Sequence, residues 1–258
     1  MLDKFTNRLR YFIELSYNGS KYHGWQSQPN AITVQQTVED SLQLVLKNKT
    51  IKIVGAGRTD TGVHALQMYA HFDFDKNFDI NNLIFKLNSF LDNNIVINNI
   101  IRVHDLAHAR FDARLREYKY FLTFKKDVFN TDLKYYFTKK LDFDEMSKAI
   151  EIIKNNSNFK SFCKSKTDVT NFECYINNFE YEIINSEVIF TISANRFLRN
   201  MVRAIIGTIL DIGLYKISVE KLKDIIDKSD RIYAGPSVPA HGLFLTKVEY
   251  PENIFNYD

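Results

Sequence analysis

The chain has 258 residues, a net charge of +3, 45% hydrophobic and 25% charged residues, which is the make-up of a globular protein able to bury a core in one large domain or two small ones. No apolar run is long enough to span a bilayer, and the charge-studded residues 1–15 do not read as a secretory leader. Two cysteines, Cys163 and Cys174, are too few for a disulfide framework or a four-cysteine zinc site, so a cytoplasmic protein with two structural thiols is expected.

Residues 10–17 (RYFIELSY) read as a strand. Thr33 followed by Gln36 is a capping box, and Val34, Val38, Leu42, Val45 and Leu46 then trace a helical face. Residues 50–55 read as a strand. From His64 to Phe74, Leu66, Met68, Ala70, Phe72 and Phe74 alternate, which means strand and not helix. Asp79 caps a helix with Ile80, Leu83, Ile84, Leu87, Phe90 and Leu91 on one face, and residues 95–103 close the unit as a strand. The order is βαββαβ.

The second half repeats that order without evident sequence identity. Tyr118–Phe124 is a strand, and Asp142 opens a helix with Phe143, Met146, Ile150 and Ile153 inward. Residues 177–184 and 187–194 form a hairpin around Asn185-Ser186, residues 196–212 a helix, Ser218 caps a short helix, and Leu243–Tyr250 is the last strand. The fold class expected is α+β: two ferredoxin-like (RRM-like) units with antiparallel sheets, residues 1–106 and 107–258, the boundary falling within 104–114.

The stretch IVGAGRTDTGVHA (53–65) begins like a dinucleotide-binding loop. A fingerprint of that kind needs a third glycine at position 60 and a helix behind it; Asp60 stands there and a strand follows. No Gly-Lys-Ser/Thr marks a P-loop. The glycines suit a turn between strands where positive φ is needed. That turn either presents the Asp60 carboxylate, or uses Asp60 as an ordinary turn residue bonding nearby N–H groups. His64 and His71 have no third metal ligand near them by spacing, which argues against zinc.

Two features suggest a polyanion. Residues 102–126 hold Arg102, Arg110, Arg114, Arg116, Lys119, Lys125 and Lys126 against Asp105, Asp112 and Glu117, interleaved with aromatics. In RFLRNMVRAIIGTIL (196–210), Arg196, Arg199 and Arg203 are spaced to line one face of the expected helix, with no acidic partner at i±4, and Gly207 near that face admits a close approach by backbone or ligand. Solvated charge is the alternative for both.

Taken together, YNGSKYHGWQSQ (17–28), TVQQTVE (33–39), GAGRTDTGVHA (55–65), HARF (108–111), REYKYFL (116–122), RFLRNMVRAIIG (196–207) and VPAHGLFLTKVEYP (238–251) resemble the tRNA pseudouridine synthase A family, in order and over nearly the whole chain. The resemblance implies two αβ units flanking a basic cleft, the second completing the active site. It implies isomerisation of uridine to pseudouridine in the tRNA anticodon stem-loop at positions 38 to 40, by a homodimer with no cofactor and no metal. The family's catalytic aspartate falls on Asp60, the arginine paired with it on Arg203, the tyrosine that packs on uracil on Tyr118, and the arginine that holds the flipped nucleotide on Arg58. Its apolar wall falls on Leu245, with Leu243 facing the same way; Arg110, Arg196 and Arg199 are the further expected tRNA contacts.

The residues suit such roles. The reaction breaks a glycosidic C–N bond and needs an ionised carboxylate as nucleophile or base, whose charged form a guanidinium favours. A stacked base must be flipped to be reached, and an aromatic ring can receive it. The sequence departs from the family at Ser157 and Asn158, at Asp92 where a proline is usual, and near Cys174. Two rivals differ in kind. A non-catalytic pair of RRM-like sheets would want an RNP-type aromatic signature and no Arg58–Asp60 pair; a nucleotide-dependent oxidoreductase would want a helix after the glycines.

Overall fold

The computed structural model describes residues 8–165 and 169–255; residues 1–7, part of the stretch read above as no leader, lie outside them. The chain is α+β and divides into two compact units, Met1–Arg114 with Leu245–Asp258, and Leu115–Phe244.

The first unit runs β1 (Leu9–Tyr17), α1 (Val34–Val45), β2 (Val54–Gly55), β3 (His64–Phe74), α2 (Ile80–Phe90) and β4 (Ile95–Val103). β1 lies between β4 and β3, antiparallel to both, and β2 pairs with β3. The strand read over 64–74 forms, but its burial does not alternate: Leu66 faces solvent, and Met68 to Phe72 are buried on both faces. Ala70 and Met68 stand opposite Ile13 and Leu15 of β1 on one face, and His71 opposite Phe12 on the other, while Val34, Val38 and Leu42 of α1 are fully buried as well. Thr33 caps α1 and Asp79 caps α2 as their side-chain oxygens predict. The returning tail also belongs here: the Tyr250 ring packs 5.2 Å from Phe12 and 5.3 Å from Tyr69, and its hydroxyl donates to the Ala109 carbonyl at 2.6 Å.

The strand expected over 50–55 is only Val54–Gly55. Residues 51–53 are held instead by side chains of α1, so they need no strand partner.

The second unit runs β5 (Leu115–Thr123), β6 (Tyr135–Tyr136), α3 (Phe143–Lys154), β7 (Ile176–Ile184), β8 (Glu187–Ala194), α4 (Met201–Gly213) and α5 (Val219–Lys228). The final strand, β9 (Leu243–Glu249), begins in this unit and ends in the first. β8 lies between β5 and β7, antiparallel to both, and β6 is parallel to β5. Asp142 caps α3, and Asn185 turns the β7–β8 hairpin in the left-handed region at φ 56°. The helix expected from residue 196 begins at Met201, because Asn200 is left-handed at φ 67° and residues 195–199 are irregular. Among the described residues no helix is long and apolar enough to cross a membrane.

Candidate active site

Ala56 donates its N–H to the Tyr69 carbonyl at 2.7 Å, and the chain then leaves β3's flank to make the turn 57–62. The turn closes when Val63 N–H donates to the Asp60 carbonyl at 3.1 Å. Gly62 supplies the positive φ, 77°. Gly55 and Gly57 were expected to do so and do not. Gly55 is small for another reason: a Cβ there would lie 2.6 Å from the indole of Trp25.

Thr59 anchors the turn. It is buried, its hydroxyl bonds the Tyr17 hydroxyl at 2.9 Å, and its carbonyl accepts the Trp25 N–H at 3.2 Å. With Thr59 fixed, Arg58 on one side is exposed and Asp60 on the other half-buried. Segment 17–28 is the platform underneath. Gly24 sits at φ +86° with its α-carbon so close that a Cβ would be 2.5 Å from the Thr59 carbonyl oxygen. A Cβ on Gly19 would be 2.0 Å from the Val63 oxygen, and the Gly19 N–H donates to His64 Nδ1 at 3.0 Å. His64 is thereby a structural acceptor behind the turn.

Side chains of α1 hold both segments. Glu39 is buried and its carboxylate accepts from Ile53 N–H at 3.0 Å, Gln35 Nε2 at 3.0 Å and Lys52 Nζ at 2.8 Å. A buried carboxylate is tolerated only when its oxygens are occupied in this way. Gln35 also donates to the Ile53 carbonyl and accepts the Ser27 N–H. Gln36 turns to the Ser27 hydroxyl and to Asp40, so the expected capping box is formed only in its Thr33 half. Reading α1 as a cap and an apolar stripe misses this arrangement; the one signal for it was a glutamate on the apolar side of the helix.

Asp92, expected above to be a departure from the resembling sequences, has a visible partner. It accepts the Tyr22 hydroxyl at 2.8 Å and the Asn94 N–H at 2.7 Å. Burial pushes its carboxyl up, but the bonds from the Asn94 N–H and the Tyr22 hydroxyl outweigh that and hold it below its ordinary value. Tyr22 in turn gives its carbonyl to the Gly62 N–H at 3.4 Å, so Asp92 is linked to the 57–62 turn through one residue.

Of the other expected residues in this unit, Leu245 is buried and Arg110 exposed. Arg110 lies in a turn built by two histidines. His71 Nδ1 accepts the Ala109 N–H at 3.1 Å, and His108 packs its ring 4.6 Å from that of His71. Burial first, then the Arg10 guanidinium and His108, lower the His71 pKa to about 4, which keeps Nδ1 available as an acceptor.

In the second unit, Tyr118 is half-buried on β5, with the Phe197 ring edge-on at 5.2 Å. Arg116 donates to the Asn195 carbonyl at 2.8 Å, tying β5 to the irregular segment 195–199. The single helical arginine face expected for Arg196, Arg199 and Arg203 does not form: only Arg203 is on α4, and Arg196 and Arg199 precede it in irregular and turn backbone. Their i, i+3, i+7 spacing is helical, but the left-handed Asn200 breaks the periodicity between them. Arg203 donates from Nε to the Val238 carbonyl at 2.8 Å, and its own carbonyl accepts the Val238 N–H at 3.1 Å. Gly207, one turn on, lets that strand of backbone approach, since a Cβ would lie 1.7 Å from the Pro236 oxygen.

Ser157 and Asn158 serve the fold: the Ser157 carbonyl accepts the Cys174 N–H at 2.9 Å, and Asn158 makes an isolated antiparallel bridge to Glu173. Both cysteines are buried and unpaired with each other, and burial raises both thiols, Cys174 to about 11. Among the described residues no group of three His, Cys, Asp or Glu side chains could hold a metal ion.

A family model described as tRNA pseudouridine synthase matches residues 15–112 and 156–251. The tRNA pseudouridine synthase A of Parabacteroides distasonis is 46% identical over 249 residues, covering 95% of this chain and 98% of that protein. The Bacteroides fragilis protein of that name is 45% identical over 248 residues (95% and 98%), and the Bacillus subtilis one 36% over 245 residues (94% and 99%).

Proposed function

The chain belongs to the tRNA pseudouridine synthase A family, an isomerase of tRNA uridine, and from that premise we propose that it acts on positions 38 to 40 of the anticodon stem-loop with Asp60 as its catalytic carboxylate. The observation that carries this reading is the fixing of Thr59 by Tyr17 and Trp25. A residue needed only to shape a turn does not call for a buried threonine bonded at both its hydroxyl and its carbonyl, two close-approach glycines and a buried glutamate behind it. A residue that must meet a sugar or base within a few tenths of an ångström does.

The chemistry conserves every atom of the uridine except one exchangeable position. The C1′–N1 bond breaks, the uracil rotates, a C1′–C5 bond forms, the hydrogen on C5 leaves to solvent as a proton, and N1 takes up a proton in its place. The Asp60 carboxylate acts on the sugar or the base as nucleophile or general base. The target must first leave its stack, and Tyr118 receives the uracil ring while Arg58 holds the displaced nucleotide. Leu245 is the apolar wall beside the base, and Arg203 the guanidinium that pairs with the Asp60 carboxylate. Arg110, Arg196 and Arg199 contact phosphates, and their position outside one helix face is compatible with a backbone path rather than a single anion site. The reading includes two ferredoxin-like units, a homodimer, a cytoplasmic location and no cofactor.

The test is regional. Anticodon stem-loop transcripts carrying a single C5-tritiated uridine at position 38, 39 or 40, or at a control position in the loop, are incubated with the protein and chelator. Release from 38 to 40 and not from the control supports the assignment; release from the control alone overturns it.

A further inference from the structure

Residues 108–112 form a turn closed from within by side chains. His108 Nδ1 accepts both the Arg110 N–H at 3.1 Å and the Phe111 N–H at 3.3 Å. The Asp112 carboxylate accepts the His108 N–H at 2.6 Å, and the Asp112 N–H returns to the His108 carbonyl at 3.0 Å. His71 fastens the turn to β3 through the Ala109 N–H. A backbone held at this many points does not fluctuate freely, yet what it holds out is an apolar ring: Phe111 is 75% exposed. One face of the ring packs against His108, centroids 4.2 Å apart at 32°, and the Arg110 guanidinium stands over the ring 5.8 Å from its centroid.

Beside the ring lies a recess of about 500 Å³ lined by His104, Leu106, Phe111, Arg114, Asn253 and Ile254, all of the first unit. Asp112 also lines the recess, its carboxylate bonded to the His108 N–H, and Asp105 is paired with Arg102 at 2.6 Å. Beside them Arg114 lines the recess and Arg110 stands next to the ring. Aromatic face, guanidinium and open recess together are the elements that hold an unstacked nucleotide: the ring stacks on the base, whichever base it is, and the arginines meet its phosphate.

We propose that Phe111 is a stacking platform for an unstacked base of the tRNA, at a nucleotide other than the one isomerised. The inference rests on the tRNA reading above. The isomerised uracil is assigned above to Tyr118, so a base on Phe111 is a second nucleotide, and the platform would set the register of the RNA without receiving the reacting uracil.

The experiment compares wild type, Phe111→Ala, Phe111→Trp and Arg110→Ala, as full chains, for binding to an unmodified tRNA transcript across a salt series. C5-tritium release by wild type and the sedimentation size of each protein are measured alongside. Stacking predicts that Phe111→Ala weakens binding about tenfold at every salt concentration with the salt slope unchanged, and that Phe111→Trp restores it. Arg110→Ala instead reduces the slope by about one phosphate contact. Wild-type affinity in Phe111→Ala overturns the platform while wild-type tritium release leaves the tRNA reading standing. A loss in Phe111→Ala accompanied by a smaller sedimenting species also overturns it, by making the surface a contact between copies of the chain. Absence of both binding and release in wild type removes the tRNA reading and the platform with it.

Discussion

His71 makes the stability of the first unit depend on pH in a direction and window that can be worked out. The side chain is 6% exposed on β3, with Nδ1 accepting the Ala109 N–H. Burial, Arg10 and His108 lower its pKa to about 4, and Asp73 and Asp112 oppose them without prevailing. A histidine whose folded value lies below its unfolded one binds its proton more readily when unfolded. Its contribution is therefore present above about pH 6.5 and is lost as pH falls toward 4. The full span is roughly 3 kcal/mol, of which about 2 kcal/mol disappears between pH 7 and pH 5. His108, also lowered chiefly by burial, adds in the same direction. Asp73, held low by its bonds to Arg10, changes only in more acid solution. Trp25 is the chain's one tryptophan and is buried in this unit, so urea unfolding followed by its emission reports this unit. The expected result is a midpoint that falls steeply from pH 7 to 5 in wild type and less in His71→Gln, whose amide oxygen can still accept the Ala109 N–H but takes no proton. Equal pH dependence in the two proteins would refute the assignment of the effect to His71.

Three further outcomes follow from the packing. Gly55→Ala places a Cβ 2.6 Å from the Trp25 indole, which is enclosed, so the first unit should lose about 1–3 kcal/mol with an altered tryptophan emission; an unchanged melt and spectrum would show that the indole has room. Gly207→Ala meets the Pro236 carbonyl at 1.7 Å and must displace the segment that bonds Arg203, costing about 3 kcal/mol in thermal or urea unfolding; a cost near zero would mean that segment moves freely. A double-mutant cycle on Tyr22→Phe and Asp92→Ala should give a coupling of about 1 kcal/mol, modest because Asp92 is largely exposed, and strict additivity would deny the hydrogen bond an energetic role.

What was legible in the sequence was whatever rests on local rules. The strand over 64–74, the Asp79 and Asp142 caps and the Asn185 hairpin all depend on a residue and its near neighbours, and all appear as expected, although β3 is buried on both faces from Met68 to Phe72. The reading failed where a non-local partner decides. Glu39 looks like an off-pattern charge until residues 51–53 are laid beside it, and that same contact is why most of the expected strand at 50–55 is absent. The arginine stripe failed for a different reason. A helical spacing says nothing about where the helix starts, and Asn200 could take the left-handed start because asparagine carries little penalty there. For the candidate site, the motif located the Asp60 turn, but not that Thr59, rather than the glycines, is its anchor. That role is expressed in bonds to Tyr17 and Trp25, more than thirty positions away in sequence.

The central claim is that the turn exists to present the Asp60 carboxylate. The direct measurement is tritium release from tRNA labelled at uracil C5, by wild type and Asp60→Asn, with tRNA binding measured on the same preparations. The substitution keeps the size and leaves the Asp60 carbonyl, which closes the turn, in place. Release by wild type and none by Asp60→Asn, with binding retained in both, is the predicted result. Release at comparable rates by both proteins would contradict it and reduce Asp60 to a residue of the turn.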